Sequence, residues 1–548
     1  MSGRQELVLG IDIGTSSGKG VLAKADGRVV ATAESPHRLS LPRPGWAEHD
    51  PEKVWWGSFL NLCRQLLPVA DGEVAAVCCS GIGPCLLPVD GDFRPLRPAI
   101  LYGIDTRATR EIAELTERYG ASAILQRCGS LLTTQAVGPK LAWLRRNESE
   151  VWERTRALLM AHSFLVERLT GEYVLDHHSA SQCDPLYDLD RQGWLDEWAD
   201  EIAPGVELPR LVWPAEVVGE VTPGASAATG IPVGTPVAAG TIDAWAEALS
   251  AGVRRPGDLM IMYGTTTFLI HVAADAIPDE RLWLCNGIVP GTRTVAAGTA
   301  TSGALTTWLR ELAGGRSYDE LVAAAAAVDP GAGGLVVLPY FAGERTPLFD
   351  PDARGLVLGL TLSHEVGHLY RALLEGTAYA VRHNLEVIRE AGAPPRRIVA
   401  VGGGTKSELW PQIVTDVIGE PQELPRESMG ASYGDALLAA AAAGLCPLES
   451  DWNAPQSRTE PEPARGQIYA ELYEVYRSLY PATAPQMHVL AGIQGEAGFA
   501  RDSELDRASD GETDAAPDYA SAIASHNDNE TVRTKEVTSR GARHDIGS

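Results

Sequence analysis

The chain has 548 residues, a formal net charge of −26 and a hydrophobic content of 45%. That length exceeds the ~250–300 residues a single core organises, which predicts two domains, 1–252 and 253–490, followed by an acidic tail, 491–548. Such a negative surface argues against nucleic acid and anionic membrane as partners, and no apolar run reaches the ~18 residues that cross a bilayer.

The opening MSGRQELVLG leads straight into a strand with no signal peptide, so a cytoplasmic location is expected. A strand hairpin is predicted over 7–13 and 20–24, turned at Asp26-Gly27 into a third strand at 29–35. Pro51 to Leu67 has helical spacing of Val54, Phe59, Leu62 and Leu66, with proline in its first turn. A strand at 74–79 runs into Ser80-Gly-Ile-Gly-Pro-Cys85. A strand end at 99–102 precedes Asp105-Thr-Arg107, and helices are predicted at 108–119, 138–147 and 158–170. Pro236 to Gly240 reads as a buried strand. Asp243 then stands at the mouth of a small-residue helix, 244–251, that Gly252 closes in a left-handed cap. Strands are predicted at 259–263, 267–272, 293–297, 335–338 and 398–401, with helices at 302–313, 317–328, 365–391, 406–418 and 431–444. This alternation predicts α/β layers. The tail from 491 is polar and nearly free of large apolar residues, so it is expected to be disordered and dispensable beyond about Gln486.

Eight cysteines form no CxxC pair and read as reduced, buried thiols. Twelve histidines include no HExxH, so no structural metal is expected. Gly14-Thr-Ser-Ser-Gly-Lys19-Gly20 is one residue short of a P-loop, lacks its Ser/Thr, and precedes a strand where a P-loop needs a helix. More telling is a repeat. Strand–GTS–strand at 7–22 returns as strand–GTT–strand at 259–270, about 250 residues later, which predicts a duplicated architecture. Asp12 precedes the first turn, and Met262 holds the same place in the second.

Seven blocks in order carry a resemblance. They are GIDIGT (10–15), PGWAEHDPEKVWW (44–56), DHHSASQCDPLYDL (176–189), PVAAGTIDAWAEALSAG (236–252), YGTTTF (263–268), GERTPLFDPDARGLVLGLTLSH (343–364) and VGGGTKSELWPQIVTDVIGEP (401–421). Over roughly residues 6 to 490 the chain resembles the FGGY carbohydrate kinases of the actin-like ATPase superfamily, and among them looks most like xylulokinases. The resemblance implies an α/β fold of two ribonuclease-H-like domains with a cleft between them. It implies ATP and Mg²⁺ as cofactors and a small sugar as partner, with a homodimer left open. The implied reaction is phosphorylation of a ketose, D-xylulose at O5 first. Another pentulose or a polyol such as glycerol, or a sugar-independent actin-type ATPase, remains an alternative.

The resemblance also distributes roles. Asp243 is the expected catalytic base and a substrate contact. A loose phosphoryl-transfer transition state needs positioning more than a strong base, which fits an aspartate held anionic at a helix N-terminus. Asp12 would orient Mg²⁺ through water. Thr15, Ser16, Gly264 and Thr265 would hold the ATP phosphates, aided by the Gly298 turn. Gly402, Gly403 and Gly404 would let the backbone approach the adenosine. At the sugar end, Gly83 and Pro84 stand where xylulokinases carry a Gln-x-His-Gly segment. Asp105 and Arg107 match the family's Asp-x-Arg loop, as sugar contacts or as a structural ion pair. A hinge is expected near Gly252 to Gly257.

Overall fold

The computed structural model describes residues 6–427 and 429–508, with side chains through 494. Strand Glu6–Ile13 pairs antiparallel with Ser17–Lys24 and parallel with Glu73–Gly81, and Ser17–Lys24 pairs with Val29–Pro36. Pro236–Ala238 and Val217–Glu220 extend the sheet on the other side, and Thr241–Ile242 also pairs with Glu73–Gly81. The second sheet repeats the plan. Asp258–Tyr263 pairs antiparallel with Thr267–Ala273 and parallel with Arg397–Val401, and Thr267–Ala273 pairs with Arg293–Gly298. In the two registers Ile13 lies opposite Gly18 and Tyr263 opposite Thr267, so Asp12 and Met262 occupy matching places.

Burial recurring every three to four residues marks the helices, as at Phe59, Leu62, Cys63 and Leu66. Pro51–Trp56 is a wide first turn whose amides at Glu52 and Lys53 donate to Asp50, and it continues as Gly57–Leu66. The helix expected over 158–170 starts at Ala161, because Ala157–Leu159 is drawn into pairing with Leu87–Val89. Helix Asp243–Ser250 ends as expected, with Gly252 at φ +76° and its amide donating to the Leu249 carbonyl.

The helix Ala431–Ala442 lies between the halves of the molecule. Two glycines admit it. A Cβ on Gly10 would stand 2.1 Å from the Ser432 carbonyl oxygen, and one on Gly434 would stand 1.9 Å from the Ala246 carbonyl oxygen. One end of the helix therefore rests on the first sheet, and Gly434 rests on the Asp243–Ser250 helix.

The expected boundary at 490 falls inside helix Pro463–Ala508. Tyr469, Tyr473 and Tyr476 are buried on one face, Met487 and Ala491 follow, and His488 bonds Asp350 at 2.8 Å. An anchored helix propagates cheaply, one hydrogen bond per added residue. The remainder of the expected tail, 509–548, lies outside the described residues.

Candidate active site

Two cavities share one wall. The larger, about 990 Å³, is lined by Tyr263, Gly264, Gly303, Gly403, Gly404 and Trp410 among others. The smaller, about 260 Å³, holds Asp12, Asp243, Glu247, Thr266 and Arg345. The turn after strand Asp258–Tyr263 divides them: Gly264 faces the larger and Thr266 the smaller.

Each turn is braced from behind. His37 Nε2 donates to the Gly14 carbonyl at 3.0 Å and His49 Nε2 to the Thr15 carbonyl at 3.1 Å. Trp55 Nε1 donates to His49 Nδ1, which fixes that tautomer. Burial, with His37 beside it, lowers the His49 pKa to about 4, so the ring works as a neutral strut. In the second half, the Ser302 and Ala304 amides donate to the Thr265 carbonyl, the Gly303 amide to that of Gly264, and Thr267 Oγ1 to Ser302 Oγ at 2.7 Å. Gly298 ends its strand buried, exchanging hydrogen bonds with Thr346. It supports the turn and does not line either cavity.

Strand Thr241–Ile242 aims Asp243. Thr241 Oγ1 donates to Asp176, which also bonds His162 and the Ser179 amide. Asp243 is the first residue of its helix, and its carboxylate accepts the Ala244 amide at 2.7 Å. The pull of the helix end is outweighed by burial, although the carboxyl still ionises at neutral pH. Burial raises its pKa to about 6 against the lowering effect of the Ala244 amide. Glu247, one turn on, is pushed to about 7 by burial and by Asp243. Asp12 is pushed to about 8 by burial first and Asp243 second, with Lys19 offsetting part.

Behind Asp12, Ser80 Oγ lies 3.2 Å from Asp12 and 2.6 Å from Asp435, a fully buried carboxyl on the Ala431–Ala442 helix. Sequence reasoning missed Glu247 and Asp435. The first has a signal, two acids at i and i+4 on a small-residue helix, a pair that repels unless something cationic sits between. The second has none beyond one acid in an alanine-rich helix. Like-signed oxygen donors with raised pKa values suit a hard cation. Among the described residues no three acidic, histidine or cysteine side chains converge to hold an ion unaided, so a cation here needs oxygens from a phosphate or water.

The other expected contacts divide. Gly403 and Gly404 line the larger cavity. Gly402 instead serves packing, at φ +95° with a Cβ position 2.7 Å from the Tyr263 carbonyl oxygen. Thr15, Ser16 and Thr265 sit in their turns without lining either cavity, and Gly83 lines the smaller one while Pro84 does not. Asp105 and Arg107 line neither cavity. Arg107 bonds Asp105 through Nε and Nη2, donates to Glu48 at 2.8 Å, and lies 3.9 Å over the Trp46 ring, while Asp105 also caps the Ala47 amide. Their charges are spent on one another inside the first domain.

Two like-built halves, a nucleotide-sized cavity and an acidic cavity across one glycine–threonine turn define the actin-like ATPase fold in its phosphotransferase form. Residues 7–250 match the N-terminal domain of the FGGY family of carbohydrate kinases and residues 259–443 its C-terminal domain. The chain is 30% identical over 500 residues to a xylulose kinase of Escherichia coli, covering 88% of this chain and all of that one. A glycerol kinase of Nocardia farcinica is 30% identical, over 82% of this chain and 93% of its own. The crystal structure of xylulose kinase from Rhodospirillum rubrum superposes with a TM-score of 0.81 at 35% identity, over 88% of this chain and all of that chain. The chain belongs to the FGGY family of carbohydrate kinases, and its activity is ATP-dependent phosphorylation of a sugar.

Proposed function

We propose that the chain phosphorylates a ketopentose, D-xylulose first, at the hydroxyl presented to Asp243, in the cytoplasm and with Mg²⁺. The observation that carries this is the pair of cavities meeting at the 264–267 turn, with Asp12, Asp243 and Glu247 at the smaller. The two xylulose kinases support the choice of sugar, and the unpaired cysteines suit a reducing compartment. Asp243, with a pKa near neutrality, aligns the acceptor hydroxyl and takes its proton as the P–O bond forms. Asp12 and Glu247 would hold Mg²⁺ together with nucleotide phosphates, and the ion would supply charge neutralisation there. Arg345, in the same cavity, stands where it can meet negative charge on the transferred group.

The glycerol kinase relative favours a second reading, a polyol acceptor. The deciding experiment follows ADP formation with D-xylulose, D-ribulose, glycerol or no acceptor, for the wild type and Asp243→Asn. The variant is expected to lose at least ~10²-fold in turnover and keep nucleotide affinity. ADP release that ignores every acceptor would leave only a sugar-independent ATPase, and near-normal turnover in the variant would remove Asp243 from the chemistry.

A further inference from the structure

The 81–85 segment carries no amide or imidazole with which to hold sugar hydroxyls, yet the acidic cavity extends well beyond Asp243. Its remaining polar wall comes from two other stretches, Ser130 to Gln135 and Gln182 to Asp184. Two side chains there are oriented by their partners. His178 Nδ1 donates to the Asn286 carbonyl at 2.7 Å, so its Nε2 is the acceptor for Gln182 Nε2 at 2.8 Å. That bond takes one of the two Gln182 amide hydrogens and fixes which end of the amide is Oε1, an acceptor. Gln135 is set the other way: its Oε1 accepts the Gly103 amide at 3.2 Å, leaving its NH₂ as a donor.

Asp184 lines the same cavity. It is 7% exposed, and its Oδ1 is sealed from solvent with no hydrogen-bond partner. Its backbone is clamped, because the Gly138 amide donates to the Asp184 carbonyl at 2.9 Å. A Cβ on Gly138 would stand 2.6 Å from Pro185, so only glycine allows that approach. A carboxyl held this firmly without a partner is costly to bury. Burial displaces its pKa upward. A second orphan, the indole N–H of Trp283, belongs to the same cavity, alongside Trp245 and Phe268. Flat apolar faces beside fixed donors and acceptors are what a polyhydroxylated carbon chain requires.

We propose that Asp184, flanked by Gln182 and Gln135, binds the hydroxyls of the acceptor sugar farthest from the one phosphorylated and so sets which sugars are accepted. This rests on the sugar-kinase reading above. The ligand is an uncharged polyol chain at that end. A sugar acid would place its carboxylate against Asp184 and the Gln182 carbonyl oxygen. Asp184 is a specificity residue and makes no bond to the reacting atoms.

The test is a cycle between protein and substrate. Wild type, Asp184→Ala and the isosteric Asp184→Asn are assayed with D-xylulose and with 1-deoxy-D-xylulose, which lacks the hydroxyl farthest from O5. D-ribulose and glycerol serve as further acceptors, and melting temperature is recorded for each protein. The wild type is expected to disfavour the deoxy sugar by about 10–100-fold in kcat/KM, the range for one buried hydrogen bond. Asp184→Ala should raise the KM for D-xylulose at least ~10-fold, leave the KM for ATP within about 2-fold, and treat the two sugars nearly alike. If Asp184→Ala does not fold, the same loss of discrimination is read from Asp184→Asn. A variant that folds and still discriminates as the wild type does overturns this inference alone. A wild type that phosphorylates none of the acceptors overturns the sugar-kinase reading and this inference with it.

Discussion

Replacing Gly434 by alanine tests the contact on which the two halves meet. The new methyl carbon would lie 1.9 Å from the Ala246 carbonyl oxygen and 2.8 Å from its carbonyl carbon. An ordinary contact needs about 3.4 Å, so the two helices must part by roughly 1.5 Å. The obstacle is backbone on both sides, and no side chain can swing away. Overpacking of this kind costs about 1–3 kcal/mol. The larger effect falls on chemistry, because the displaced helix begins with Asp243. A ~1 Å misplacement of a reacting group costs on the order of 10²-fold in rate. Turnover of Gly434→Ala, followed by coupled ADP release, should fall by about that factor, with a lower melting temperature by calorimetry. Gly466→Ala is the control: its Cβ position meets nothing within 4 Å, and alanine there should stabilise the helix by about 0.5–1 kcal/mol. Wild-type turnover in Gly434→Ala would refute the argument that this contact positions the base.

Three further outcomes are expected. Asp243, Glu247 and Asp12 have folded-state pKa values raised to about 6, 7 and 8, burial being the main cause, so the folded protein binds more protons than the unfolded chain above about pH 4. Their contribution to stability is complete below that pH and is lost as pH rises through 6 to 8. Nucleotide-free protein should show this slope in melting temperature, and Asp12→Asn should flatten it; an unchanged slope would count against the cluster. Arg107→Ala leaves Asp105 buried without its cation, while Glu48 keeps Arg97, at about 3–5 kcal/mol, so the melting temperature should drop while the sugar KM of the folded fraction stays constant. Truncation after Gln486 removes Met487, Ala491 and the His488–Asp350 bond, and should destabilise by roughly 2–4 kcal/mol on thermal unfolding, where a dispensable tail would cost nothing.

What the sequence made legible was local. Both hairpins, their turns and the left-handed cap at Gly252 follow from periodicity and glycine placement within a dozen residues, and all are present. The Ala431–Ala442 helix was visible as a helix, but its seat was not, since Gly10 meets it from more than 400 residues away. The electrostatics of Asp243 were misread for a similar reason. A helix terminus is written in the adjacent residues, whereas burial by strands and helices from both domains is not. Asp105 and Arg107 look like site residues because charged pairs in loops often are. Only the enclosure of Arg107 between Trp46 and Glu48 shows them to be structural. Helix Pro463–Ala508 was legible and overlooked. Its tyrosines at 469, 473 and 476 keep helical spacing, but Pro481, Pro485 and the polar run beyond them masked the pattern. Asp184 left no trace at all, because an unpaired carboxyl is visible only once its surroundings are.

The segment expected to act as a hinge is tied down at both ends. The Gly252 carbonyl accepts from Arg397 at 3.0 Å, and Asn453 donates to the Ser250 carbonyl at 2.9 Å. Asp258 accepts the amides of Arg254 and Arg255, and Arg254 donates to the Glu449 carbonyl. Rotation there would break several hydrogen bonds at about 0.5–1.5 kcal/mol each. Any closure of the cleft that keeps them has to run elsewhere. The close crossing of Asp243–Ser250 with Ala431–Ala442 offers that path, since Ala246 and Gly434 present no side chain large enough to interlock, and packed helices slide by small shears. Such a shear moves Asp243 relative to Asp435, and through Ser80 it also bears on Asp12. The carboxylates at the phosphoryl-transfer end would then be rearranged by the same displacement that brings the two cavities together.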